Sequence, residues 1–176
     1  ANTILLASPN QESYPLASNS VFWHASEQNV TLNELLVQPP VFEPSSHAED
    51  LNLGYTQHDV WLRTQVRNDS SEAQRWMVQF LDHVTLYTLR QTSIEAQQSG
   101  SALPVDQRAL AHRQAVFPIE MAAQETITLY THVAASGSKM LNYNLMTPEA
   151  FYAQNDRHNF WLATYFGILL ALGLYN

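Results

Sequence analysis

The stretch Val60-Trp61-Leu62-Arg63-Thr64-Gln65-Val66-Arg67 decides the fold. In extended chain, Val60, Leu62, Thr64 and Val66 fall on one side, and Trp61, Arg63, Gln65 and Arg67 on the other. A period of two marks a β-strand covered on one side. The polar run Asn68-Asp69-Ser70-Ser71 that follows is a turn. Beyond it, Trp76 to Leu81 and Val84 to Leu89 read as two more strands, joined around Asp82 and His83. Ala115 to Ile119, Thr126 to Val133 and Met140 to Met146 read as three further strands, with Ala135-Ser136-Gly137-Ser138 as the turn between the last two. Upstream, Val21 to His24 reads as a first strand. Short strands at this spacing, with no long helix between them, predict an all-β antiparallel sandwich or barrel.

The segments between these strands carry their own signals. Residues 1–20 are polar, contain Pro9 and Pro15, and read as a loosely ordered lead-in. Thr31-Leu32-Asn33-Glu34 has capping-box spacing and predicts a helix of two turns, stopped by Pro39 and Pro40. Residues 43–58 read as loop, and residues 91–113 as a long loop or an exposed hairpin. Thr147-Pro148-Glu149 opens a helix, with proline at its first position. The expected organisation is a lead-in over 1–20, a sandwich over 21–152, and a linker with a further helix over 153–176.

That last helix has an unusual second half. Phe160 to Asn176 carries no charged residue and is apolar on every side, with Phe160, Trp161, Tyr165 and Phe166 near its start. A helix packed on a sheet shows a polar opposite face, and this one does not. Aromatic residues collect at membrane interfaces. Seventeen helical residues reach roughly 25 Å, close to a hydrocarbon core of about 30 Å. The segment is therefore expected to begin a transmembrane span, with a membrane as its partner.

Composition narrows the functional classes. The chain has 176 residues and a net charge of −8, and only 14% of its residues are charged. Residues 1–62 hold seven acids and no Lys or Arg. Phosphate neutralisation requires clustered basic residues, so nucleic acid is not an expected partner. With no cysteine, disulfides and thiolate metal sites are excluded. Seven histidines show no close ligand spacing. Glu49, Asp50 and Asp59 offer oxygen ligands without an EF-hand-like loop. No metal or other cofactor is expected. Motifs for nucleophilic, zinc or phosphate chemistry are absent, so the chain is not expected to be an enzyme.

Taken in order, several short motifs resemble one family. Leu53-Gly54-Tyr55-Thr56, Val60-Trp61-Leu62-Arg63 and Arg67-Asn68-Asp69-Ser70 resemble the type-2 extracellular domain of bacterial 7TMR-DISM receptors, seven-transmembrane receptors with diverse intracellular signalling modules. His83-Val84-Thr85-Leu86-Tyr87 behind Asp82 is similar to the strand that follows. So are the spaced run Gly100, Pro104, Arg108, His112, Arg113 and the strands Val116-Phe117-Pro118-Ile119 and Leu129-Tyr130. Met146-Thr147-Pro148-Glu149-Ala150-Phe151 resembles the domain's close, and Tyr165 to Leu172 the start of the first membrane helix. The pattern departs at His132, where relatives often carry Arg. The resemblance spans residues 20–176. It implies a jelly-roll-like β-sandwich similar to carbohydrate-binding modules, held in the periplasm by a bacterial inner-membrane receptor. It also implies a cytoplasmic output of histidine kinase or diguanylate cyclase type, which this chain does not encode.

Candidate binding residues follow from their chemistry. Trp61, with Arg63, Gln65 and Arg67 on the same strand face, offers a ring for stacking on a sugar and donors for its hydroxyls or an acidic group. The alternative is a Trp61 packed under the 91–113 segment, with both arginines paired to carboxylates. His112 and Arg113 form a second candidate on a loop. Tyr130, His132 and Tyr143 are expected to line the same sandwich face, the alternative being that the tyrosines belong to the core. The function expected is sensing of a small molecule or carbohydrate. A protein-interaction module holding a receptor homodimer is the competing reading.

Overall fold

The computed structural model describes residues 4–25, 30–44, 51–56, 58–80, 84–100, 103–110, 112, 114–134, 137–141 and 143–175. The quoted stretch lies in the longest strand, β6 (Val60–Asn68). On one side β6 pairs antiparallel with β11 (Thr126–Val133). The other side is shared between two partners. Its first half pairs antiparallel with β3 (Ser20–His24), and its second half pairs parallel with β1 (Ile4–Ala7). β4 (Glu43–Pro44) extends the sheet beyond β3, while β8 (Val84–Leu89) and β9 (Ile94–Ser99) extend it beyond β11. This is sheet 1. Sheet 2 runs β10 (Ala115–Met121), β7 (Gln74–Phe80), β13 (Tyr143–Met146), β2 (Ser13–Pro15). A separate pair joins β5 (Leu51–Thr56) to β12 (Gly137–Leu141).

The two sheets form a sandwich-like body, and the main core lies between them. Sheet 1 contributes Val60, Leu62, Val66, Val84, Leu86, Ile127 and Leu129, and sheet 2 contributes Trp76, Val78, Phe80, Phe117, Ile119, Tyr143 and Leu145. All are buried. Burial of each such side chain stabilises the fold by roughly 1.5–3 kcal/mol before entropy is set against it. The turn after β6 is held by the buried Asn68, whose Nδ2 donates to the carbonyls of Glu72 and Ala122 at 2.9 Å.

Two helices cover the outer faces. The expected capping box is present: Thr31 Oγ1 accepts from the Glu34 amide, and the Glu34 carboxylate accepts from the Thr31 amide at 2.7 Å. It opens α1 (Leu32–Val37), which buries Leu32 and Leu35 on sheet 1. α2 (Pro148–Tyr175) starts with Thr147 Oγ1 accepting from the Ala150 amide. Its first turn buries Phe151 against Met77, Val116 and Met146 of sheet 2. It then continues as one helix of 28 residues.

Several expectations need correction. β6 is covered on both sides, because α1 seals the face that period-two reading leaves to solvent. The first 20 residues are not a loose lead-in: β1 and β2 join the sheets, and Ala7, Tyr14, Leu16 and Ala17 sit in the main core. Within 43–58, read as loop, β4 and β5 are strands. The single strand expected over 140–146 is two strands, in different sheets. Of the two readings of 91–113, the hairpin holds for its first part, as β9 pairs antiparallel with β8. The turns around Asp82 and His83 and at Ala135-Ser136 lie outside the described residues.

Candidate functional site

The expected site residues do not form one site. The register of sheet 1 sets Trp61 beside His132, and Arg63 beside Tyr130. Tyr87 of β8 lies next to Tyr130. Their side chains meet on the outer face, where α1 closes over them. Trp61 is only 1% exposed, stacked on Tyr87 at 5.7 Å and tilted against His132 at 4.8 Å. Tyr130 packs on Phe42, and the Arg63 guanidinium lies 4.7 Å from the Phe42 ring centre. His132 Nε2 is 3.0 Å from the carboxylate of the buried Asp59. Trp61 is thus covered by α1, and no described residue of the 91–113 segment joins this cluster. A sugar has no access to its face in this arrangement. Arg67, at the far end of the strand, is exposed and donates to Gln124 Oε1 at 2.7 Å.

Tyr143 does not share that face. It belongs to sheet 2 and points into the main core, stacked on Phe80 at 4.3 Å. Its hydroxyl is 3.2 Å from Thr64 Oγ1, which in turn meets Ser20 Oγ. Burial pushes the phenol up to about 12, against the opposing effect of its hydrogen bonds. The group is a neutral core tyrosine in a hydroxyl chain linking the two sheets.

His112 stands elsewhere again, at the outer face of sheet 2. Here β7, the segment before β10 and the first turns of α2 enclose a cleft of about 310 Å³. Its walls are Gln79, His112 and Gln114 from the sandwich, and Phe151, Gln154, Asn155, Arg157 and Trp161 from α2. The hydrogen bonds fix the polar groups. The Gln114 amide donates to His112 Nδ1 at 3.1 Å, so the proton of the neutral ring sits on Nε2. That Nε2 faces Asn155 Oδ1 at 3.2 Å, a bond from sandwich to helix. Gln79 Nε2 donates to Gln114 Oε1. The His112 ring also meets Phe151 edge-on at 5.2 Å. Beneath it, Arg108 ties the loop by donating to the carbonyls of Leu103 and His112. Arg113 lies outside the described residues.

The sequence singles out His112 on its loop but not the amides that surround it. Gln79 and Gln114 are 35 residues apart, and His112 and Asn155 are 43 apart. Only the pairing of β7 with β10 and the docking of α2 bring them together. No signal in the local sequence marks such residues.

Elsewhere, Arg75 pairs with Glu120 and Arg90 with Glu125 on the surface. The first pair is exposed, and such pairs contribute about 0–1 kcal/mol; the second is part-buried. Among the described residues no group of three or more His, Asp or Glu is placed to hold a metal. No helix of the described residues is long and apolar enough to cross a membrane. The second half of α2 nevertheless exposes Phe160, Trp161, Tyr165, Phe166, Leu170 and Leu174 together.

The fold is a two-sheet β-sandwich with a cleft walled jointly by sheet 2 and α2. The chain belongs to the 7TMR-DISM extracellular 2 family, whose model matches residues 17–147. It is a family of receptor sensor domains, not of catalysts, and it places this domain outside the cytoplasm, in the periplasm or beyond the cell, as part of a membrane receptor. No curated protein matches the chain.

Proposed function

We infer that the chain is the ligand-sensing part of a bacterial inner-membrane receptor and receives a small molecule at the junction of sheet 2 and α2. The observation that carries this reading is the double origin of the cleft: three of its walls belong to the sandwich and five to the helix. A ligand touching both has a different affinity for each pose of the helix, which is the condition for shifting a two-state equilibrium. The His112–Asn155 bond crosses the same junction and helps to set the resting pose. The apolar half of α2, Phe160 to Tyr175, then carries that pose into the membrane, towards a signalling module encoded elsewhere. Its sixteen residues reach about 24 Å as a helix. The volume lies near the lower end of small-ligand sites, roughly 300–1,000 Å³, which favours a small molecule over a polymer.

The test is thermal unfolding of the whole chain in detergent micelles against sugars, amino acids and small organic acids. A bound compound raises the midpoint, by about 2.7 kcal/mol of stabilisation at a hundredfold excess over its Kd. Replacing Gln114→Leu abolishes that rise, and it lowers the ligand-free midpoint because the buried Gln79 Nε2 loses its acceptor. A rise that survives this change sets the site elsewhere, and a panel without any rise favours the protein-interaction reading.

A further inference from the structure

We propose that the junction cleft selects an anion, a small carboxylate with an adjoining apolar face. The inference rests on the cleft being the sensing site and adds the chemical class of its ligand. The chain carries a net charge of −8, yet no acidic residue is among the eight lining the cleft. Three other cavities among the described residues each include acids: Glu95, Glu120 and Glu125 in one, Asp106 in a second, Glu12 and Glu149 in a third. Among the described residues the one formal charge lining the cleft is the cation Arg157. Among the described residues Arg157 forms no ion pair, whereas Arg75 and Arg90 do.

Helix geometry produces this separation of charge. At about 100° per residue, Trp161, Gln154 and Asn155 fall within roughly 80° of Phe151, with Arg157 at the rim. Glu149 and Asp156 fall about 160° and 140° round, on the far side. Hydrogen bonding adds to the bias. Gln114 and Asn155 each accept a bond through their amide oxygen, which leaves their NH₂ groups as donors. With the Arg157 guanidinium, three donor groups face a space that has no competing carboxylate, and Trp161 and Phe151 supply the apolar wall. Donors and a cation in a partly desolvated cleft favour a carboxylate over its neutral counterpart.

The experiment compares matched pairs on the whole chain in micelles by calorimetry and ligand-observed NMR: phenylacetate with phenylacetamide, and glucuronate with glucose. The charged member of a pair is expected to bind at least about tenfold more tightly, and Arg157→Gln to remove that preference. Arg157→Lys is expected to restore part of it, and Arg75→Gln, away from the cleft, to leave it intact. Equal binding of both members, insensitive to Arg157→Gln yet lost in Gln114→Leu, overturns the anion preference and keeps the sensing site. If no member binds at millimolar concentration, both fall.

Discussion

The two outer faces of the sandwich start from different material and end differently. Sheet 1 presents Trp61, Tyr87 and Tyr130, sheet 2 presents Met77, Gln79, Val116 and Met146, and each receives a helix. On sheet 1, α1 lies flat and closes over Trp61, Tyr130 and Tyr87, so the aromatic face becomes a second core. On sheet 2, α2 packs its first turn around Phe151, meets His112 through Asn155, and then runs on. Between them lies a cleft lined by amides, a histidine and an arginine. Aromatic side chains on a strand face therefore do not by themselves mark an open face, since the aromatic-rich face is the covered one. What distinguishes the two faces is whether the covering helix ends on the sheet or runs on past it.

The largest effect that tests this contrast is a paired truncation. Trp61→Ala removes a ring that is 1% exposed and should cost about 3–5 kcal/mol in chemical denaturation. Trp161→Ala removes a ring that is 65% exposed and should change stability by less than about 0.5 kcal/mol, while weakening ligand binding. Similar costs at the two positions would break the contrast.

A second effect concerns the core between the faces. The Tyr143 phenol is raised to about 12, above the unfolded value near 10. Above pH 10 the unfolded chain loses this proton and the folded chain keeps it. The contribution is therefore fully present below pH 10 and is lost as the pH rises towards 12, at up to about 1.4 kcal/mol per pH unit. Tyr143→Phe should cost about 1 kcal/mol at neutral pH and make the alkaline fall in stability shallower. An unchanged alkaline slope would mean that Tyr143 is open to water.

A smaller effect sharpens the account of α1. Thr31→Ala removes the capping box and should cost about 1 kcal/mol or less. Hydrogen exchange should show the loss in α1 and the Trp61 face, with the cleft at sheet 2 unaffected. Loss of protection at His112 and Gln114 would show that the two faces are coupled.

How much of this was legible in the residues depended on how local the signal is. Alternation in β6, the Thr31/Glu34 box and the Thr147-Pro148 helix start each act within a few residues, and each formed as read. β9 was ambiguous because Ile94-Glu95-Ala96-Gln97-Gln98-Ser99 has no apolar period and owes its strand form to pairing with β8. β1 and β2 were invisible because a parallel partner 61 residues away and a strand beyond residue 140 hold them. Period two shows which side of β6 a residue takes, but not that α1 will cover it, so the residues alone leave Trp61 open between binding and packing. The cleft was legible only at His112, since glutamines and asparagines look alike wherever they stand until the fold gathers them.

The most direct measurement follows the indole N–H resonances of the four tryptophans while phenylacetate is added to the whole chain in micelles. Trp161 lines the cleft and Trp61 lies under α1. The Trp161 signal should move progressively to saturation while the Trp61 signal stays in place. Movement of Trp61 with Trp161 unchanged would put binding on sheet 1 and contradict the account.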